Sequence, residues 1–295
     1  MPEPIPEPES SGFTKSTTAP LYWCSYGPPS AEKVLVMHGG PGAHLDYLLP
    51  QMLHLAERYN LVFYDQRGGG KSKSDEREQV TWKTHVMDMH AVIRELGISG
   101  PSIVGYSFGG MLSLLYSIEA AKHNSMESPS RLALIDPAPL RMQYRREFEA
   151  EFARRQNGMG LRKMREDLAA SGLRESDPAA YKQRAFELAV APYFADPANA
   201  HDLTPFRVTG RIQQSTWDSI GPDYNLIPEL KPMGFPVMFI HGRDDPIPAA
   251  SSIEGARAMS AEVVLLDDCG HVPYVEQPGP LFAALDRFFA ATDPG

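Results

Sequence analysis

The sequence predicts an α/β fold: a mostly parallel central sheet with helices on both faces and an inserted helical cap. Three observations carry this expectation. Short, near-continuous apolar runs alternate with helical stretches, the pattern of a chain that winds a buried parallel sheet. Three Gly-rich or charged loops each follow an apolar run, which places them on one edge of that sheet, outside the carboxyl ends of its strands. From about Leu140 to Lys231 the strand pattern stops, and the chain becomes rich in Arg, Glu, Gln and Ala at helical spacing.

Taken in order, Met1-Pro2-Glu3-Pro4-Ile5-Pro6-Glu7-Pro8-Glu9 is acidic and Pro-rich, with no basic start and no apolar core of a secretory signal. It predicts an extended, disordered tail over residues 1–12. Leu21 to Tyr26 can form an early strand, ended by Gly27-Pro28-Pro29. Lys33 to Met37 is a buried strand running into His38-Gly39-Gly40-Pro41-Gly42, and a helix is expected over Asp46 to Arg58. Leu61 to Tyr64 is the next strand, followed by Asp65 to Ser72, then a helix from about Thr84 to Leu96. Pro101 to Val104 is a strand, Met111 to Tyr116 a helix, and Arg131 to Ile135 a strand ending in Asp136-Pro137. Helical spacing recurs over Glu147 to Arg155, Leu161 to Ala170 and Tyr181 to Val190. The sheet resumes with Pro236 to Ile240, a helix over Ile253 to Met259, a last strand over Val263 to Leu266, and a closing helix over Leu281 to Ala290. The chain thus divides into the tail (1–12), a sheet core in two pieces (13–139 and 232–295) and the cap (140–231).

Composition narrows the function. A formal charge of −9 argues against nucleic acid as a main partner, because phosphate binding needs a basic face. No apolar run approaches the roughly 20 residues of a membrane span. Two cysteines far apart, Cys24 and Cys269, argue against a disulfide framework and fit a reducing cytoplasm. Nothing in the sequence sets an oligomeric state.

The chemistry-bearing residues lie in the loops after strands. In Gly105-Tyr106-Ser107-Phe108-Gly109-Gly110, the strand–Gly-x-Ser-x-Gly–helix context is that of a nucleophile elbow. The tight turn lifts the Ser107 hydroxyl to the sheet edge, at a helix N-terminus that favours developing negative charge. A serine hydroxyl needs a general base, and the base needs an orienting acid. Among nine histidines, His271 follows Gly270 after the last strand and is the candidate base. The orienting acid is assigned to Asp245 from the Gly242-x-x-Asp245 frame, with Asp244 and Asp136 as rivals. Two backbone N–H groups must face the oxyanion of a tetrahedral intermediate, and those of Phe108 and Gly40 are the candidates.

Other polar residues have quieter readings. His38 and Gly39 shape the Gly-rich turn; Asp65 and Arg67 brace the following loop. Glu276 is a helix-start contact. His85 and His90 lack a metal-ligand spacing, and no cofactor or metal is implied. Gly70-Lys71-Ser72 ends like a phosphate-binding loop, but the position that must be glycine is Asp65.

With these motifs in hand, the chain resembles the α/β-hydrolase superfamily, and more narrowly its proline iminopeptidase branch. The residues that carry the resemblance are His38-Gly39-Gly40-Pro41-Gly42, Asp65-Gln66-Arg67-Gly68-x-Gly70-x-Ser72, Gly105-x-Ser107-x-Gly109-Gly110, His241-Gly242-Arg243-x-Asp245 and Cys269-Gly270-His271. It implies an α/β-hydrolase fold and the chain order Ser, Asp, His of its triad. It further implies an acyl-enzyme reaction that releases an N-terminal residue, preferably proline, from a short peptide; a carboxylesterase, a lactonase or a non-catalytic ligand receptor are the alternatives. The partner is a small-molecule or short-peptide substrate. Holding a free amine needs an acidic group. Pro246 follows Asp245 where relatives place one, and Gln213 and Gln214 are neutral where a cap acid is expected, leaving Glu147, Glu149, Glu187 or Asp202. Tyr193, Phe194, Phe206 and Trp217 are candidate pocket aromatics.

Overall fold

A computed structural model describes residues 4–291. Its centre is an eight-stranded sheet: β1 (Ser10–Phe13), β2 (Tyr22–Tyr26), β3 (Lys33–Met37), β4 (Asn60–Tyr64), β5 (Ser102–Tyr106), β6 (Arg131–Ile135), β7 (Val237–Gly242) and β8 (Glu262–Leu266). The spatial order is β1-β2-β4-β3-β5-β6-β7-β8. Only the β1–β2 and β2–β4 pairs are antiparallel. Every pair from β4 through β8 is parallel, so the loops after β3 to β8 open on one edge.

Alternation along the strands builds two cores. Val34 and Val36 pack on one face with Leu61, Phe63 and Val104. Leu35 and Met37 pack on the other with Val62, Tyr64 and Ile103. Each such side chain fully withdrawn from water stabilises the fold by about 1.5–3 kcal/mol. Helices α1 (Trp82–Glu95) and α2 (Phe108–Ala120) follow β4 and β5. The start of α1 is fixed by a capping box, in which Thr84 N–H donates to Thr81 Oγ1 at 3.2 Å and Thr81 N–H donates to Thr84 Oγ1 at 3.1 Å.

Between β6 and β7 lie α3 (Met142–Gln156), α4 (Met159–Ala170), α5 (Leu173–Ser176), α6 (Pro178–Val190) and α7 (Gly210–Ile220), with no named strand. After β7 come α8 (Ala249–Met259), α9 (Pro273–Glu276) and α10 (Pro278–Ala291).

Two expectations need correction. The disordered tail over 1–12 does not hold at its end: Ser10 to Phe13 pair antiparallel with Tyr22 to Ser25, and Glu9 N–H donates to Ser25 O at 2.9 Å. A free sheet edge orders this segment, which its own composition does not; Met1 to Glu3 lie outside the described residues. The single helix over 46–58 is instead two 3₁₀ segments, Leu45–Leu48 and Gln51–Glu57. Pro50 between them has no N–H to continue a helical ladder.

Candidate active site

Ser107 sits between β5 and α2 with φ 53° and ψ −122°, a left-handed backbone that a non-glycine residue adopts at a cost of about 1–3 kcal/mol. The surrounding structure enforces it. Ser107 N–H donates to Ile135 O at 2.9 Å, and Ser107 O accepts from Ala138 N–H at 2.9 Å and Gly110 N–H at 3.0 Å. Glycines permit the close approach: a Cβ on Gly109 would lie 2.4 Å from Met37 O, and one on Gly105 2.7 Å from Gly110 Cα.

The loops after β7 and β8 bring two more residues to this point. The Ser107 hydroxyl meets His271 Nε2 at 2.9 Å, and His271 Nδ1 meets Asp245 Oδ2 at 2.7 Å. A neutral imidazole donates from Nδ1 to the carboxylate, which leaves the Nε2 lone pair facing the serine. The ring is held from both ends of its backbone: His271 N–H donates to Tyr193 O at 2.7 Å, and Tyr106 O–H donates to His271 O at 2.8 Å. Tyr193 stacks on it at 5.2 Å.

Asp245, Asp136 and His241 are all buried. Burial pushes the Asp245 carboxyl up, but His271, His241 and the Ile247 N–H outweigh it and leave the group below the usual carboxylate range. Asp136 goes the other way, well above that range, because burial and the neighbouring Asp245 charge both oppose its ionisation. Asp136 Oδ1 accepts from Gly242 N–H at 2.8 Å, and Asp244, the other rival, is exposed. These three buried residues place donor atoms within 4.8 Å of one another. They do not suit a metal ion, because His241 Nε2 is bonded to Ile247 O at 2.9 Å and Nδ1 to Ser252 Oγ at 2.8 Å.

Gly40 N–H and Phe108 N–H have no acceptor among the described residues, and Gly40, at φ 57°, lines the same cavity as Ser107. His38 is buried and tied to the next loop: Gln66 N–H donates to its Nε2 at 3.0 Å, and its Nδ1–H donates to Gly39 O at 2.8 Å. Burial lowers its pKa to about 4. Asp65 accepts from Leu45 N–H at 2.8 Å and Lys71 N–H at 2.7 Å, linking two loops. Arg67 is not its partner; the guanidinium binds Asp88, Glu78 and Thr18. Glu276 contacts more than a helix start: it accepts from Gly270 N–H at 2.7 Å, Ala195 N–H at 2.9 Å and Asp196 N–H at 3.1 Å, joining the His271 loop to the α6–α7 connection.

A cavity of about 90 Å³ opens over Ser107 and His271. Its walls include Tyr47, Tyr106, Tyr193, Tyr274 and Phe206, with Gln213 as the amide side chain and no carboxylate among the described residues. Tyr193 and Phe206 are therefore where sequence reasoning sought them. Trp217 instead packs on Phe108, at 5.7 Å between centroids, and Phe194 lies outside the cavity. The acids considered for an amine also lie outside it: Glu147 bonds Gln143, Glu149 pairs with Arg145, Glu187 with Arg184 and Asp202 with His201. Gln214 bonds Asp218. Tyr47 and Tyr274 are additions of the structure, since a lone aromatic in a short helical segment carries no signal of which cavity it will line.

The profile of the alpha/beta hydrolase family matches residues 34–285. The chain belongs to this family. Curated relatives include a proline iminopeptidase of Thermoplasma volcanium, 38% identical over 93 residues (31% of each chain), and one of Arabidopsis thaliana, 37% identical over 114 residues (38% of this chain, 30% of that one). The matched stretch spans about a third of these relatives. A proline iminopeptidase-related protein of Thermus thermophilus superposes with a TM-score of 0.74 at 21% identity, covering 97% of this chain and 98% of that one.

Proposed function

We propose that this alpha/beta hydrolase is a serine hydrolase working through an acyl-enzyme on Ser107. The observation that carries the reading is the hydrogen-bonded run Ser107–His271–Asp245, anchored at the ends of three strands. Ser107 Oγ attacks the substrate carbonyl carbon while its proton passes to His271 Nε2. Asp245 holds the imidazole and stabilises its cationic form. The N–H groups of Gly40 and Phe108 receive the oxyanion. His271 returns the proton to the leaving group, and water attacks the acyl-enzyme by the same steps.

Two substrate readings follow from different observations. The curated relatives favour release of an N-terminal residue, proline first, from a short peptide. The cavity favours a small ester with an uncharged acyl group, because no carboxylate among the described residues lines it to hold an ammonium group. At about 90 Å³ it is also smaller than an engineered cavity of about 150 Å³ that admits benzene.

The test compares fluorophore release from a proline amide and a short-chain ester, with Ser107→Ala beside wild type. The variant is expected to lose about 10⁶-fold in turnover; an unchanged rate in clean protein would sink the serine mechanism. Amide cleavage abolished by N-acetylating the proline selects the aminopeptidase; ester cleavage alone selects the carboxylesterase.

A further inference from the structure

Tyr47 follows the Gly-rich loop in sequence and returns to it in space. It lies in the 3₁₀ segment Leu45–Leu48, and its side chain is 4% exposed. Phe206 at 4.6 Å, Tyr106 at 6.1 Å and His38 at 6.4 Å surround the ring and leave its hydroxyl little freedom. Gly39 N–H donates to Tyr47 Oη at 2.6 Å. That bond uses an oxygen lone pair and leaves the phenolic proton without an acceptor among the described residues.

The unused proton belongs to the reacting space. A Cβ on Gly39 would stand 3.0 Å from Ser107 Oγ and 3.1 Å from Tyr47 Oη. The two hydroxyls therefore border one gap that only glycine leaves open, and both residues line the cavity. A buried O–H with no acceptor is destabilised, and a carbonyl oxygen arriving at Ser107 would relieve that. Donation from Gly39 polarises the phenol and makes its O–H a stronger donor. Burial pushes the Tyr47 pKa up, so the proton stays on oxygen.

We propose that Tyr47 is a catalytic residue whose O–H donates a hydrogen bond to the substrate carbonyl oxygen as that oxygen becomes negative, beside the N–H groups of Gly40 and Phe108. This rests on the acyl-enzyme reading above. As the Ser107 Oγ–carbon bond forms, the carbonyl π pair moves to oxygen. The Ser107 proton goes to His271, and Tyr47 keeps its own. The negative charge faces three donors until the leaving group departs with the proton from His271.

The experiment pairs two variants with a transition-state analogue. Tyr47→Phe removes the donor and is expected to lower kcat by about 10²-fold, the scale of one lost oxyanion donor, with KM within threefold of wild type. A trifluoromethyl ketone, which forms a tetrahedral adduct on Ser107, should weaken by the same factor. Because Tyr47→Phe also frees Gly39 N–H, a second variant carries 3,5-difluorotyrosine at position 47, assayed at pH 6. Fluorination makes the phenol a better donor and a poorer acceptor. A kcat at or above wild type supports donation to the oxyanion. A kcat below wild type shows that Tyr47 only accepts from Gly39 and overturns the proposal, as does wild-type kcat in Tyr47→Phe. Failure of the parent reading looks different: Ser107→Ala would then keep activity and a fluorophosphonate would leave wild-type Ser107 unlabelled.

Discussion

Three aspartates compete to orient His271, and atomic position separates them. Asp245 reaches His271 Nδ1 at 2.7 Å. Its neighbour Asp244 turns its side chain to solvent while its N–H donates to Cys269 O at 2.9 Å. Asp136 supports the Gly242 backbone from the far side. Asp245→Asn should lower kcat by about 10⁴-fold, because the amide favours the wrong imidazole tautomer, whereas Asp244→Asn should stay within twofold; steady-state kinetics on one ester checks both. The Gly242-x-x-Asp245 frame in the sequence points to Asp245 and leaves Asp244 and Asp136 as rivals, since which side chain faces inward depends on how β7 ends at Gly242 against Cys269 and Gly270. A Cβ on Gly242 would lie 2.2 Å from Gly270 O.

At the scale of elements, the strands and the helices that flank them were legible because apolar runs of five or six residues have few other uses. Edges and connections were not. β1 is half-polar, and Phe13 is 50% exposed, so its order comes from pairing with β2 rather than from burial. The connection from α6 to α7 looked like cap helix alone, yet it gives Tyr193 O to His271 and two N–H groups to Glu276. Glu276→Ala leaves three backbone donors without their acceptor. It should destabilise the protein by about 3 kcal/mol and lower kcat as the His271 loop loosens. Thermal melts and kinetics should move together, and a variant that melts like wild type would refute the bracing role.

For the molecule as a whole, buried histidines set the acid limit. Burial lowers His38 to about 4 and His85 to about 3, and also lowers His241. The unfolded chain binds their protons near pH 6.5 and the folded chain does not. Through these histidines unfolding takes up protons between pH 6.5 and about 4, which lowers stability as pH falls through that window, at about 1.4 kcal/mol per pH unit for each proton taken up, while the raised Asp136 carboxyl acts in the opposite sense. Urea unfolding at pH 7, 6 and 5 should show a stepwise loss. His85→Gln should flatten the slope by up to one proton; an unchanged slope would mean that His85 titrates alike in both states.

Such a chain could be altered in one half of its site alone. Ser107, Asp245 and His271 all come from loops that directly follow β5, β7 and β8, whereas Tyr193, Leu203, Phe206, Val208 and Gln213 of the cavity wall come from the stretch between β6 and β7. On the proposed reading, the reacting side chains and one part of the cavity wall thus come from separate intervals of the sequence. A transplant of that interval from another family member would exchange that part of the wall and leave Ser107, Asp245, His271, Tyr47, Tyr106 and Tyr274 in place. Inside the interval, the Tyr193 carbonyl contacts His271 and the Ala195 and Asp196 amides contact Glu276. A donor segment that reproduces those three backbone positions keeps His271 in register; one that omits them brings a new chamber to a base that has lost its seat.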